Sequence, residues 1–204
     1  MAGIGLRKPF FAVYQNVGSV VTYSNGELLG KAVEFSASIE DGSDNNFHAD
    51  DGVAESDRTF AGGTISLTTD DLSDEVSKII LGVTMKELTV GEKTVSELIF
   101  DDTAVTPYLG IGIIVPKMNR QIISYRAIVF PKVMFSVPDD AATTKGESIE
   151  WQTKTIEGTI LRSDAVGHPW KRETTIADEE TAIAYIKQLL NITDDTSAEK
   201  GLLS

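Results

Sequence analysis

The sequence predicts a mainly β protein with one or two flanking helices. Three observations point there. Asp101–Val137 reads DDTAVTPYLGIGIIVPKMNRQIISYRAIVFPKVMFSV, three β-rich runs joined by short turns. Lys31–Glu40 alternates with period two, with Val33, Phe35, Ala37 and Ile39 on one side and Glu34, Ser36, Ser38 and Glu40 on the other. Two further stretches carry apolar residues at helical spacing.

Taken in order, Phe10–Tyr14 is an apolar run suited to a first strand. Val20–Tyr23 and Glu27–Leu29 flank Ser24-Asn25-Gly26, and Asn-Gly between β-prone runs predicts a hairpin turn there. After the alternating strand comes Asp41–Arg58, DGSDNNFHADDGVAESDR, polar and acidic. It is either a plain loop or a long hairpin turning at Asp50-Asp51-Gly52. Thr59–Thr68 is the next strand, with Phe60, Ile65 and Leu67 inward and Gly62-Gly63 as a kink or bulge. Asp71–Leu81 is the first helix, with Leu72, Val76, Ile79 and Ile80 on one face, acids at its start and Gly82 as terminator. Short strands fit Leu88–Val90 and Val95–Phe100.

Tyr108–Val115, Gln121–Phe130 and Lys132–Val137 follow as strands, punctuated by Pro116 and Pro131, because proline cannot donate to a ladder. Ile149–Leu161 reads as a long strand, outward at Glu150, Gln152 and Lys154, with a bulge expected near Ile156. Arg162–Thr175 reads as irregular. Asp178–Leu190 is the second helix, with Ala182, Ile183, Ile186, Leu189 and Leu190 in one stripe. The 204 residues suggest one domain over 1–190, including the 41–58 excursion, with 191–204 as a frayed C-terminal tail.

Composition narrows the function classes. With 31 acidic and 18 basic residues the net charge is −13, which repels phosphates and anionic membrane. Arg120, Arg126 and Lys132 make no basic stripe of the kind nucleic-acid readers carry. Cysteine is absent, so there is neither a disulfide framework nor a thiolate metal site. No apolar run approaches the ~18 residues of a membrane span, and the N-terminus lacks the apolar stretch of a leader. Neither membrane anchoring nor secretion is expected, so the sequon Asn191-Ile192-Thr193 is read as chance.

Catalytic patterns are missing. His48 lies near Asp44, Asp50 and Asp51, yet an EF-hand needs glycine at its sixth position, where this loop offers Asn46 or Ala49. His168 precedes Pro169 and Trp170 with no second histidine nearby. There is no G-x-S-x-G elbow. Gly110-Ile111-Gly112 continues as a strand instead of opening a helix, and Gly91-Glu92-Lys93-Thr94 lacks the glycine a P-loop places before its lysine. The acid pairs Asp50/Asp51, Asp70/Asp71, Asp101/Asp102 and Asp139/Asp140 read as turn or capping residues. No enzyme activity, cofactor or metal is expected.

A sequence of features carries one resemblance. It runs from Ile4-Gly5-Leu6-Arg7 leading into Phe10–Tyr14, through Asn46-Phe47-His48-Ala49-Asp50-Asp51, to Gly62-Gly63-Thr64-Ile65-Ser66-Leu67 and the helix Leu72–Leu81. It continues with Tyr108-Leu109-Gly110 and Ile149–Ile160. In this order the chain resembles the major tail proteins that build the tail tube of long-tailed, siphovirus-type bacteriophages and related prophages. No single stretch is as specific as a zinc motif; the order carries the weight.

The resemblance implies a β-sandwich or barrel-like domain with a flanking helix. It implies a homo-oligomer of hexameric rings stacked into a tube, through which DNA passes without sequence-specific binding. Its partners would be tape-measure and tail tip or terminator proteins. It would be assembled in the bacterial cytoplasm and reside in the virion tail. The loop Asp41–Arg58, the arm Ala2–Lys8 and the C-terminal tail are the expected inter-ring contacts, with Leu6, Arg7, Asn46, Phe47, His48, Asp50, Asp51 and Arg58 as candidate residues. Two other readings compete. A tube of a contractile tail or secretion-type injection system shares the architecture. A carbohydrate- or receptor-binding β-domain would need an aromatic platform, for which Trp151 and Trp170 are the only tryptophans.

Overall fold

The computed structural model describes residues 2–3, 5–42, 45–49, 52–57, 59–139 and 153–193, with the backbone alone for 2–3, 41, 45–49 and 52–57. The protein is mainly β with two helices, as the alternation and stripes predict. Asp50, Asp51, Arg58, Trp151, the start of the Ile149–Leu161 strand and the tail beyond Thr193 lie outside the described residues.

One nine-stranded antiparallel sheet organises the chain. Along it run β3 (Val20–Leu28), β2 (Arg7–Val17), β10 (Leu109–Asn119), β11 (Ile122–Phe135), β12 (Lys154–Ile160), β7 (Phe60–Thr69) and β4 (Ala32–Asp41). The short β1 (Ala2–Gly3) pairs with β10 opposite Lys117 and Met118, and β13 (Arg172–Ile176) pairs with β11. Two hairpins stand apart from this sheet, β5 (Asn45–Ala49) with β6 (Gly52–Asp57), and β8 (Thr84–Val90) with β9 (Lys93–Ile99).

The layers follow from burial. β2 and β10 are buried in nearly continuous runs, so both faces of the central strands are covered. On one face Phe11, Leu109, Ile111 and Ile113 meet Ile65 and Leu67 of β7 and Ile156 and Ile160 of β12. Helix α1 (Asp74–Leu81) closes this cluster with Val76, Ile80 and Leu81. On the other face Phe10, Ala12, Ile114, Ala127 and Val129 meet Ala182, Ile186 and Leu190 of helix α2 (Glu179–Leu189) and its cap. By contrast β12 alternates strictly, Ile156, Gly158 and Ile160 buried and Thr155, Glu157 and Thr159 exposed, so one face of β12, β7 and β4 is open.

Both helices stop and start for local reasons. The Ser73 hydroxyl accepts from the Val76 amide and Gly82 takes the left-handed conformation at φ +69°. Asp178 accepts from the Thr181 amide, which holds its carboxyl below the usual carboxylate range.

Several expectations are corrected. Asn25-Gly26 does not turn the chain. The β2–β3 turn is at Gly18-Ser19, between paired Val17 and Val20. Asn25 and Gly26 form a bulge opposite Ala12, with Asn25 at φ +49°. The Asn-Gly signal marks a residue pair tolerant of positive φ, which a bulge uses as readily as a turn. Pro131 does not end a strand: β11 runs through it as Pro131-Lys132 bulge opposite Gly110. Gln121 is a turn residue, since Arg120 and Gln121 both have positive φ in the two-residue β10–β11 hairpin. Val33 is pushed out to solvent by a register shift between Ala32 and Glu34, while Phe35 and Ile39 do face the core.

The β7–β12 ladder pairs without a break from Lys154↔Thr69 to Ile160↔Gly63, so the bulge expected near Ile156 is absent. Arg162–Thr175 contains the start of β13. The long loop is the hairpin β5–β6, its ladder closing with Ala49 opposite Gly52.

Gly110 and Gly112 have a packing role. A Cβ on Gly112 would strike Ile186, and one on Gly110 would strike Leu190 and Tyr23. The missing side chains let α2 sit close on the sheet. Gly112→Ala should therefore cost about 1–3 kcal/mol by overpacking. Urea unfolding should show a smaller loss when the same change is made in an Ile186→Ala background, where the space is already open.

Candidate functional site

The outer face of β4, β7 and β12 is an exposed three-stranded β surface. Register aligns its side chains in rows across the strands. One row is Glu34, Thr68 and Thr155; the next is Ser36, Ser66 and Glu157; the third is Ser38, Thr64 and Thr159. Thr68 and Thr155 hydroxyls meet at 2.8 Å. Glu40 continues the β4 side opposite Gly62. Ser136, whose amide donates to the Glu157 carbonyl, extends the surface onto the chain after β11. The outward positions of these three strands thus hold hydroxyls and three carboxylates, Glu34, Glu40 and Glu157, and no lysine or arginine. A shallow groove of about 420 Å³ crosses the rows between Ser38, Thr64, Ser136 and Glu157. It gathers a single carboxylate among hydroxyls, so it assembles no acid–base pair among the described residues.

The β5–β6 hairpin extends this same unit, because it joins β4 to β7 beyond Asp41↔Phe60. Asn46, Phe47 and His48 lie on β5, opposite Ser56, Glu55 and Val53. Leu6 and Arg7 stand elsewhere. Leu6 packs against the main core cluster, and Arg7 begins β2 and donates to Glu179 at the start of α2, at 2.7 Å. The arm containing them is tied to the sheet of the same chain through β1 on β10.

A cluster that sequence reasoning missed holds the 162–171 segment to the sheet. The Tyr14 hydroxyl donates to the Asp164 carboxylate at 2.8 Å and accepts from the Asp164 amide at 2.9 Å. Lys132 Nζ reaches the same carboxylate at 2.7 Å and sits over the rings of Tyr14 and Tyr108. Lys132 first and Tyr14 second hold the Asp164 carboxyl below its ordinary range. His168 Nδ1 donates to the Ser163 carbonyl, so its ring serves the loop. Tyr23, edge-on to Tyr14, donates to the Pro131 carbonyl, and burial pushes its hydroxyl pKa up. Nearby, Lys171 and Arg126 hold the Glu173 carboxyl down to about 2.

The bulge at Pro131-Lys132 aims Lys132 at this cluster; in the sequence the only trace was a proline inside a β-rich run. Trp170 stacks on Phe60 at 4.6 Å with ring planes 5° apart, and Arg162 donates to the Phe60 carbonyl. One face of the Trp170 ring is thereby taken up within the subunit. Among the described residues no group of three His, Asp or Glu side chains is placed to hold a metal, and no helix is long and apolar enough to cross a membrane.

No family model matches the chain, and a search of curated proteins finds no match either.

Two outcomes follow from the cluster. Lys132→Met should cost about 2–3 kcal/mol in chemical unfolding, from the lost ion pair and cation–π contacts. Glu173 has a folded pKa depressed from 4.5 to about 2, so its stabilising effect is present above pH 4.5 and is lost as pH falls toward 2. The Glu173→Gln variant should therefore show a smaller drop in melting temperature between pH 5 and about pH 2.5 than the parent protein.

Proposed function

We propose that this chain is a structural subunit of a phage-type tail tube, self-assembling into stacked hexameric rings around a DNA-conducting channel. The observation that carries the reading is the open face of β4, β7 and β12. Its outward positions carry hydroxyls for hydration, and among the described residues the charges at those positions are the carboxylates Glu34, Glu40 and Glu157, with Lys154 and Asp139 lining the adjoining groove. A wall of this kind repels phosphate and gives a duplex nothing to pair with. Support also comes from the arrangement around that face. A β hairpin continues the strands beyond it, where a neighbouring ring would sit. The order of sequence features resembles that of the major tail proteins. The partners implied are further copies of the chain, with tape-measure and tip or terminator proteins at the ends.

Negative-stain microscopy of concentrated protein is the direct test. Rings or striated hollow filaments are the expected result; a protein that stays monomeric at every concentration and with added seeds would overturn the reading. Deleting 45–53 should block filament growth and leave a folded subunit that still melts cooperatively. Replacing Glu34, Glu40 and Glu157 together by lysine should give tubes that retain duplex DNA at low salt and release it at high salt, measured by co-sedimentation.

A further inference from the structure

Tyr23 lies across the sheet. Its ring covers β10, where a Cβ on Gly110 would strike it, and its hydroxyl reaches the Pro131 carbonyl of β11 at 2.9 Å. Helix α2 covers the neighbouring part of the same face. Beyond the helix the chain folds back on itself, the Ser163 amide donating to the Pro169 carbonyl and the His168 amide to the Ala165 carbonyl. Ring, helix end and loop do not close completely. A cavity of about 170 Å³ remains between them. Its apolar walls include Val21, Val129, Ala165, Pro169 and Leu189. Val129 is buried and forms the inner end.

One cation lines this cavity. Arg172 pairs with Val129 across β13 and β11, so it shares the α2 side of the sheet, whereas Glu173 pairs with Ile128 and takes the other side. Arg172 is exposed, so it stands at the mouth. Burial pushes the Tyr23 hydroxyl pKa up, and Arg172 is near enough to offset part of that. Among the described residues the Arg172 guanidinium has no hydrogen-bond or ion-pair partner. The acids nearest in sequence are engaged elsewhere, Asp164 by Lys132 and Tyr14, and Glu173 by Arg126 and Lys171. The end of α2 brings a partial negative charge of about half a unit, less than the full charge of the guanidinium, so the mouth stays cationic.

Size and chemistry then select a ligand class. The cavity has the volume of about five waters at ~30 Å³ each. That suits an acid of about five carbons and is too small for a sugar or a nucleotide. A bare inorganic anion would leave the apolar walls unmatched. An uncharged hydrocarbon would make no use of Arg172, whose guanidinium can hold a carboxylate through two parallel N–H bonds.

We propose that this cavity binds a small branched aliphatic carboxylate, its hydrocarbon body inside against Val129 and Leu189 and its carboxylate at Arg172. The site uses no residue of the outer face of β4, β7 and β12, so it stands or falls independently of the assembly reading.

Titration of the parent protein with isovalerate, followed by amide chemical shifts, tests it. Saturable shifts should appear at Val21, Ala165, Arg172 and Leu189, with a dissociation constant on the order of a millimolar. Isovaleramide has the same shape without the charge and should bind about tenfold more weakly, and so should inorganic phosphate. Arg172→Gln should weaken isovalerate by about tenfold and leave the melting temperature unchanged, because the guanidinium has no internal partner to lose. Val21→Trp should fill the cavity from the β3 side and abolish binding of the acid and the amide alike. The proposal is overturned if isovalerate gives no saturable shifts at these residues, if the amide or phosphate binds as tightly as the acid, or if Arg172→Gln binds isovalerate like the parent. These three outcomes decide the matter even if Val21→Trp fails to fold.

Discussion

The central strands β2 and β10 cannot be left open on either side. Phe10, Phe11, Ala12, Leu109, Ile111, Ile113 and Ile114 alternate between two apolar faces, and all are buried. A fully buried large aliphatic or aromatic side chain contributes roughly 1.5–3 kcal/mol relative to exposure, so stripping either cover would cost more than a domain's usual margin. One cover is made by bending the same sheet over through β11, whose C-terminal residues Val133–Phe135 pair with β12. The other is α2, which fits because Gly110 and Gly112 offer no side chain beneath it. Once both covers are in place, β4, β7 and β12 have one apolar face turned inward, and their outer face is free to carry hydroxyls and carboxylates.

The bend in β11 links fold to surface chemistry. The bulge at Pro131-Lys132 lets one strand serve both halves of the sheet: Tyr125–Val129 pairs with β13, while Val133–Phe135 pairs with β12. It also turns Lys132 between the rings of Tyr14 and Tyr108 and onto Asp164. The Lys132 charge is then internally matched. Arg126 and Lys171 are matched by Glu173 in the same region. Several of the cations in a chain of net charge −13 are thus matched by carboxylates of the same chain.

Much of the fold was legible because burial imposes a period. The stripes of α1 and α2, their acidic first turns and the Gly82 stop were all readable, and the structure moves the helix ends by only a few residues. The outward hydroxyls of TISLTT were readable as phase, whereas Lys154, expected outward, is in phase with buried Ile156; nothing in the sequence says that Thr68 stands beside Thr155, since register between distant strands is a tertiary fact. What misled was backbone chemistry with more than one use. Asn25-Gly26 fits a turn and a bulge alike, and Pro131 fits a strand end and a bulge alike. Arg120-Gln121, with no glycine, gave no turn signal at all, although both residues adopt positive φ. The Lys132–Asp164–Tyr14 cluster was invisible because its members are 32 and 150 residues apart.

In the self-assembly proposed above, the net charge of the chain and a buried contact between copies would act in opposite senses. At −13, two copies repel at a distance, and salt weakens that repulsion over a Debye length of about 8 Å at physiological ionic strength. A contact that buries apolar surface between two copies attracts only at close range, and salt weakens it little once water has been excluded. Moderate salt therefore lowers the barrier to approach more than it loosens the contact formed. The acidic open face takes no part in this balance. Like carboxylates gain nothing from meeting their own kind, so the assembly proposed above would grow through other surfaces than this face.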